Sequence, residues 1–238
     1  MSTPAPTTDR PHPPAPPGRR PTENLAIFDL DRTLLPGSSL IHLGRAMARA
    51  GLIRPATLVG FLAKEATFRR RGQREGETMT LQSRLLALAT GMERDPLVAL
   101  AEVVATEVAT QVSPAARRVL RQHHEAGDHC VILSASPQEL VEAVATQLSV
   151  AIGIGTRAKV ADGRFTGDLD GPFCHSHGKL ARLRDELGMV ELGQSFAYSD
   201  ASSDLPLLQA CGYPVAVNPD RRLRAVAKAA GWPILELH

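Results

Sequence analysis

The amino-acid sequence predicts an α/β fold, a parallel β-sheet with helices on both faces and a helical insert directly after the first strand. Three features of the chain carry this expectation. Short continuous apolar runs, such as Leu25-Ala26-Ile27-Phe28 before Asp29, fit strands buried on both faces of a sheet. Helical periodicities separate these runs along most of the chain. Between about Ser39 and Val112, by contrast, there is helical periodicity and no strand pattern.

Residues 1–22 contain eight prolines and almost no large apolar side chains, so they are expected to be a disordered tail. The first strand, 25–29, runs into a polar turn with Pro36 and Gly37. Helices are then expected at roughly 39–50, 54–70, 76–90 and 95–111, punctuated by Gly51, Gly72, Gly76 and Gly91. A helix over 113–126 opens with Ser113-Pro114, a start signal. Further strands are expected at 130–134, 151–154, 195–200 and 215–217, and further helices at 137–148, 178–187, 203–211 and 220–230. Asp162-Gly163 inside 160–165 marks a β-hairpin. The division that follows is a core of 23–38 and 113–238 with a helical cap over 39–112.

Composition excludes several classes. Apolar residues make up 43% of 238 residues, which suits a globular core. No stretch approaches the roughly 20 apolar residues of a membrane span, and no apolar leader opens the chain, so a cytoplasmic place is expected. A net charge of +2 does not point to nucleic acid. Cys130, Cys174 and Cys211 are widely spaced, which fits reduced thiols.

Four places could carry chemistry. Asp29-Leu30-Asp31-Arg32-Thr33 ends the first strand, and its two carboxylates converge only if the chain turns there. Such acids could hold a hard cation, attack phosphorus or move protons; they could also be ordinary surface acids. Ser134 closes the second strand in Ser134-Ala135-Ser136-Pro137, where a hydroxyl and backbone N–H groups make a phosphate seat. Ser136 could cap the next helix with Pro137 at its first position. Lys179 lies near the start of a helix, where the dipole disfavours a cation unless an anion is bound nearby; a solvated lysine is the plainer reading. Asp200 ends the strand over 195–200, and Asp204 opens the following helix, where it could merely favour the helix start. Strand ends of a doubly wound sheet share one crevice, so Asp29, Ser134, Lys179 and Asp200 are expected to meet.

In order and character these residues resemble the four motifs of the haloacid dehalogenase (HAD) superfamily. They are D-x-D-x-T at Asp29–Thr33, a strand-end Ser134, Lys179, and the acidic pair Asp200 and Asp204. The position of the insert further resembles the phosphoserine-phosphatase-like subfamily IB. The resemblance implies a Rossmannoid core with an α-helical cap and a Mg²⁺-dependent phosphatase acting on a small phosphorylated metabolite. It implies Asp29 as nucleophile, Asp31 as acid and base, and Ser134 and Lys179 as phosphate-binding groups. Asp29, the Asp31 carbonyl and Asp200 are the implied metal ligands, with Asp204 behind them. Two departures stand out. Ser203 replaces an asparagine of the fourth motif, and Ser38 stands nine residues after the nucleophile, where a glutamate normally meets the substrate amine. A phosphoserine substrate is therefore not expected. The alternatives are a dehalogenase, which would not need Asp31 and Asp200, and a catalytically weak phosphate-binding or regulatory protein. Arg69, Arg70, Arg71 and Arg74 in the insert could face an anionic leaving group or solvent.

Overall fold

The computed structural model describes residues 24–54, 56, 60 and 86–238. The expected tail, the arginine cluster at 69–74 and most of the two middle helices of the insert lie outside the described residues.

Six parallel strands form the sheet in the order β3-β2-β1-β6-β7-β8. They are β1 (Leu25–Phe28), β2 (His129–Pro137), β3 (Ile152–Thr156), β6 (Phe196–Ser199), β7 (Tyr213–Val217) and β8 (Ile234–Leu235). The helices are α1 (Ser39–Arg49), α2 (Arg94–Gln111), α3 (Pro114–Glu125), α4 (Gln138–Gln147), α5 (His177–Leu187), α6 (Leu205–Ala210) and α7 (Arg221–Ala230). No helix among the described residues is long and apolar enough to cross a membrane.

The period-two alternation of the strands divides the core into two layers. Ala26, Phe28, Ile132, Phe196 and Tyr198 pack with α2, α3 and α4 on one face. Leu25, Ile27, Val131, Leu133 and Ala197 pack with α5, α6 and α7 on the other. Both faces are covered, which is why the strands read as unbroken apolar runs. β8, two residues long, carries too little pattern to be seen in the sequence.

The expected hairpin is present as β4 (Ala158–Ala161) and β5 (Arg164–Leu169). Asp162 and Gly163 both take positive φ, 49° and 74°, as a two-residue hairpin turn of this hand requires. The chain returning from the insert adds to this hairpin. Gly91 N–H donates to the Phe165 carbonyl (2.8 Å), Phe165 N–H to Met92 (3.0 Å), and Arg94 N–H to Gly163 (2.9 Å). Both ends of the expected 39–112 insert pack on the core: Leu43 of α1 and Leu97, Ala101, Val104 and Val108 of α2 share the apolar layer of Leu140, Val141 and Val144.

Candidate active site

β1 is central, so the residues leaving its carboxyl end have strands on both sides. Phe28 pairs with Ile132 of β2 and with Tyr198 of β6. Asp29 extends the ladder by one bond, its N–H donating to the Tyr198 carbonyl at 2.9 Å. The chain then turns as the acid pair requires. Leu34 and Leu35 N–H groups both donate to the Leu30 carbonyl (3.1 and 3.0 Å), and Arg32 adopts a left-handed φ of 62°. Leu30, Leu34 and Leu35 are fully buried and anchor the turn.

Thr33 ties the turn to the neighbouring strand end. Its hydroxyl donates to Asp29 Oδ2 (3.3 Å) and accepts from Asp200 N–H (3.0 Å). Asp31 is held separately, with Oδ1 accepting from Ser39 N–H at the start of α1 (2.8 Å). Lys179 is buried, not solvated; its Nζ lies 2.6 Å from both Asp29 Oδ1 and Asp204 Oδ2. Ser199 donates its hydroxyl to the same Asp204 oxygen at 2.7 Å. Asp204 sits in a 3₁₀ turn, Ser202–Asp204, and its side chain makes no capping bond to α6.

The electrostatics are lopsided. Burial lifts the Asp29 carboxyl to about 6; Lys179 opposes this, and Asp204 and Asp31 add to it. Burial likewise raises Asp31, with the Ser39 N–H opposing. Asp200 is pushed up to about 8 by burial and then by Asp29, although Arg32 Nε lies 3.1 Å from its Oδ2. Burial pulls Lys179 down, but Asp204 and Asp29 outweigh it and the ammonium is held charged more firmly than usual.

Two expectations about the second strand need correction. β2 does not end at Ser134; it continues to Pro137, with an irregularity in register between Leu133 and Pro137. Nor does Ser136 cap the next helix. Pro137 stands at the cap position without a side-chain bond, and Ser136 Oγ lies 2.7 Å from Ser39 Oγ. The strand persists because Pro137 pairs with Thr156, whose hydroxyl donates to the Ala135 carbonyl at 2.8 Å. Ser134 is buried at this irregularity, its hydroxyl accepting from Ser136 N–H at 3.2 Å.

The donor set fits a hard divalent cation. Among the described residues the ion pairs of Asp29, Asp200 and Asp204 are with Lys179 and the partly exposed Arg32, so with the half-buried Asp31 the cluster carries an excess of acid. All available donors are oxygens, which suit Mg²⁺ rather than a soft metal. Among the described residues no three Asp, Glu, His or Cys side chains already converge as a ligand cluster. The implied set needs only two carboxylates, because its third donor is the Asp31 backbone carbonyl.

Sequence reasoning assigned no part to Thr33, Ser199 or Arg32. Thr33 and Ser199 lie inside the motifs it quoted, so only their partners were hidden. The Arg32–Asp200 ion pair had no local signal, because the two residues meet across strands.

Residues 26–209 match the family model described as haloacid dehalogenase-like hydrolase. The chain is 36% identical over 214 residues to phosphoserine phosphatase SerB1 of Mycobacterium tuberculosis, covering 88% of this chain and 69% of that protein. It is 31% identical over 219 residues to the histidinol-phosphatase of Neisseria meningitidis serogroup C, covering 90% and 98%. A protein of unknown function from Bordetella pertussis Tohama I has a TM-score of 0.79 at 32% identity, covering 91% and 100%. A phosphoserine phosphatase solved as a phospho-aspartyl intermediate analogue shares the fold, with a TM-score of 0.63 at 18% identity and coverage of 91% and 94%.

Proposed function

Because the chain belongs to the haloacid dehalogenase-like hydrolase family and is a phosphoric monoester hydrolase, we propose that it cleaves a small phosphate monoester through an aspartyl-phosphate on Asp29. The observation that carries this reading is the buried Lys179 ammonium, 2.6 Å from both Asp29 and Asp204 at the carboxyl edge of the sheet.

Asp29 attacks phosphorus in line, so that a bond from its carboxylate oxygen to phosphorus forms as the bond to the leaving alkoxide breaks. Asp31 gives its proton to that alkoxide. Its raised pKa supports the role, since the desolvated, half-buried carboxyl keeps a proton to higher pH than an exposed aspartate. In the second half Asp31 takes a proton from water, which attacks phosphorus, frees inorganic phosphate and regenerates Asp29. Lys179 and Ser134 hold the transferring oxygens, while Thr33 keeps Asp29 aimed.

Asp29, the Asp31 carbonyl and Asp200 would hold Mg²⁺, with Asp204 orienting the groups behind it. Bound there, the cation would offset repulsion between nucleophile and phosphate and stabilise the transition state. The 39–112 insert is the cap that reads the leaving group.

Phosphoserine is not the preferred substrate in this reading. Ser38 leaves no carboxylate nine residues after Asp29 to pair with an ammonium group. The test is release of phosphate from p-nitrophenyl phosphate by the wild type and by Asp29→Asn, each with Mg²⁺ and with EDTA. Turnover of Asp29→Asn within about tenfold of wild type would remove the assignment of the nucleophile.

A further inference from the structure

Arg182 is a large side chain with no exposed surface, one turn along α5 from Lys179. Residues three apart share a helix face, so the two cations enter the protein side by side. Arg182 Nε donates to the Gly155 carbonyl of β3 (3.1 Å), and Nη2 donates to Gln138 Oε1 (3.3 Å) and Glu186 Oε2 (3.3 Å). Gln138 is the first residue of α4, directly after the segment that carries Ser134 and Ser136. The same Gln138 oxygen accepts from Gly155 N–H at 2.6 Å, and Gln138 Nε2 donates to the Gly153 carbonyl at 2.8 Å. One guanidinium thus joins the segment of Ser134, the end of β3 and the helix of Lys179.

This joint is tight and leaves something unsatisfied. A Cβ on Gly155 would lie 2.7 Å from the Ser136 carbonyl oxygen, so the strands and the α4 entrance meet without side-chain padding. Arg182 Nη1 is buried with no hydrogen-bond partner among the described residues, and the Asp185 carboxylate is 3.9 Å away. For stability alone, an apolar side chain of similar volume serves such a position as well or better. At its own start α5 has backbone hydrogen bonds but no side-chain cap. Ser176 at the cap position makes no capping bond and takes φ 53° and ψ −126°, a conformation ordinarily left to glycine.

We propose that Arg182 is a positioning residue that sets Lys179 relative to Ser134, through its bonds to Gly155 and Gln138. The inference rests on the reading of Lys179 and Ser134 as holders of the transferring phosphoryl oxygens. The test compares wild type, Arg182→Met, Arg182→Lys and Gln138→Leu on p-nitrophenyl phosphate with Mg²⁺, with kcat expressed per folded molecule. Arg182→Met is expected to lower kcat at least tenfold while KM moves less than threefold, and Arg182→Lys to recover part of that loss. Gln138→Leu, which keeps the Arg182 bond to the Gly155 carbonyl but removes the Gln138 oxygen that Arg182 and Gly155 N–H share, is expected to lower kcat three- to tenfold, again with KM nearly constant. If Arg182→Met folds and its kcat per folded molecule stays within threefold of wild type, the proposal is overturned. Should Arg182→Met fail to fold, Gln138→Leu decides, and an unchanged kcat overturns it. An inactive wild type would overturn the phosphatase reading and this inference together. An active wild type with unaffected variants overturns the inference alone.

Discussion

Adjacent residues of β6 feed two buried polar clusters of opposite character. Tyr198 points into the layer of α3, where its hydroxyl lies 2.7 Å from His123 Nε2, and His123 Nδ1 donates to Asp128 Oδ2 at 2.6 Å. A carboxylate can only accept, so Asp128 fixes which imidazole nitrogen carries the proton. The rings of Phe28 and Tyr198 stack at 4.5 Å, with His123 edge-on to Phe196 at 4.8 Å. This cluster is closed. Ser199, the next residue, opens onto the other one, where buried carboxylates outnumber the cations that face them and two carboxyls are pushed to about 6 and about 8. A satisfied cluster contributes stability, whereas an unbalanced one marks a candidate ligand site.

The contrast can be broken most directly at its two extremes. Asp29→Asn should lower kcat at least about a thousandfold, roughly 4 kcal/mol of barrier, with the unfolding midpoint unchanged or raised because a buried charge is removed. Steady-state kinetics and thermal unfolding on the same preparation check both halves. His123→Leu should do the opposite. Losing the polar contacts of a fully buried side chain should cost about 3 kcal/mol of stability, while kcat per folded molecule stays within threefold. A large loss of turnover in stable His123→Leu protein would mean that the closed cluster also serves the chemistry.

A smaller effect separates the clusters by ligand. Mg²⁺ at about a hundred times its Kd should stabilise the wild type by about 2.7 kcal/mol, and EDTA should abolish both the shift and the activity. Asp200→Asn should lose the shift, whereas His123→Leu should keep it. Smallest is the discrimination among substrates. kcat/KM for phosphoserine should fall at least tenfold, about 1.4 kcal/mol, below that of the best monoester in a panel including histidinol phosphate. Phosphoserine emerging as best would show that an acid elsewhere replaces the one missing at Ser38.

The elements most legible in the sequence were those with a local cause. β1 showed itself as Leu25–Phe28 because both its faces are buried, and the hairpin turn because Asp162-Gly163 can take positive φ. The expected meeting of Asp29, Ser134, Lys179 and Asp200 came from the fold, since strand ends of such a sheet share an edge; the structure sets Lys179 against Asp29 and against Asp204, which was not among the four. What depended on distant partners was not. Ser136 and Pro137 look locally like the start of a helix, and only pairing with Thr156 keeps them in the strand. Lys179 read alone was a surface lysine; burial against two aspartates became visible only with the fold. Arg182 carried no signal at all, because its partners Gly155 and Gln138 are 27 and 44 residues away.

The two anchored ends of the insert have an evolutionary consequence. The chain departs through α1 and re-enters along β5 and α2, and both passages belong to the packed core. A chain segment that leaves a core and returns to it tolerates changes of length, since doubling a flexible loop costs only about 0.6 kcal/mol. Duplication, trimming or replacement there leaves Asp29, Lys179 and Asp200 where the sheet puts them. If the insert reads the leaving group as proposed, a lineage can retrain that choice by rewriting the segment while inheriting an unchanged sheet edge.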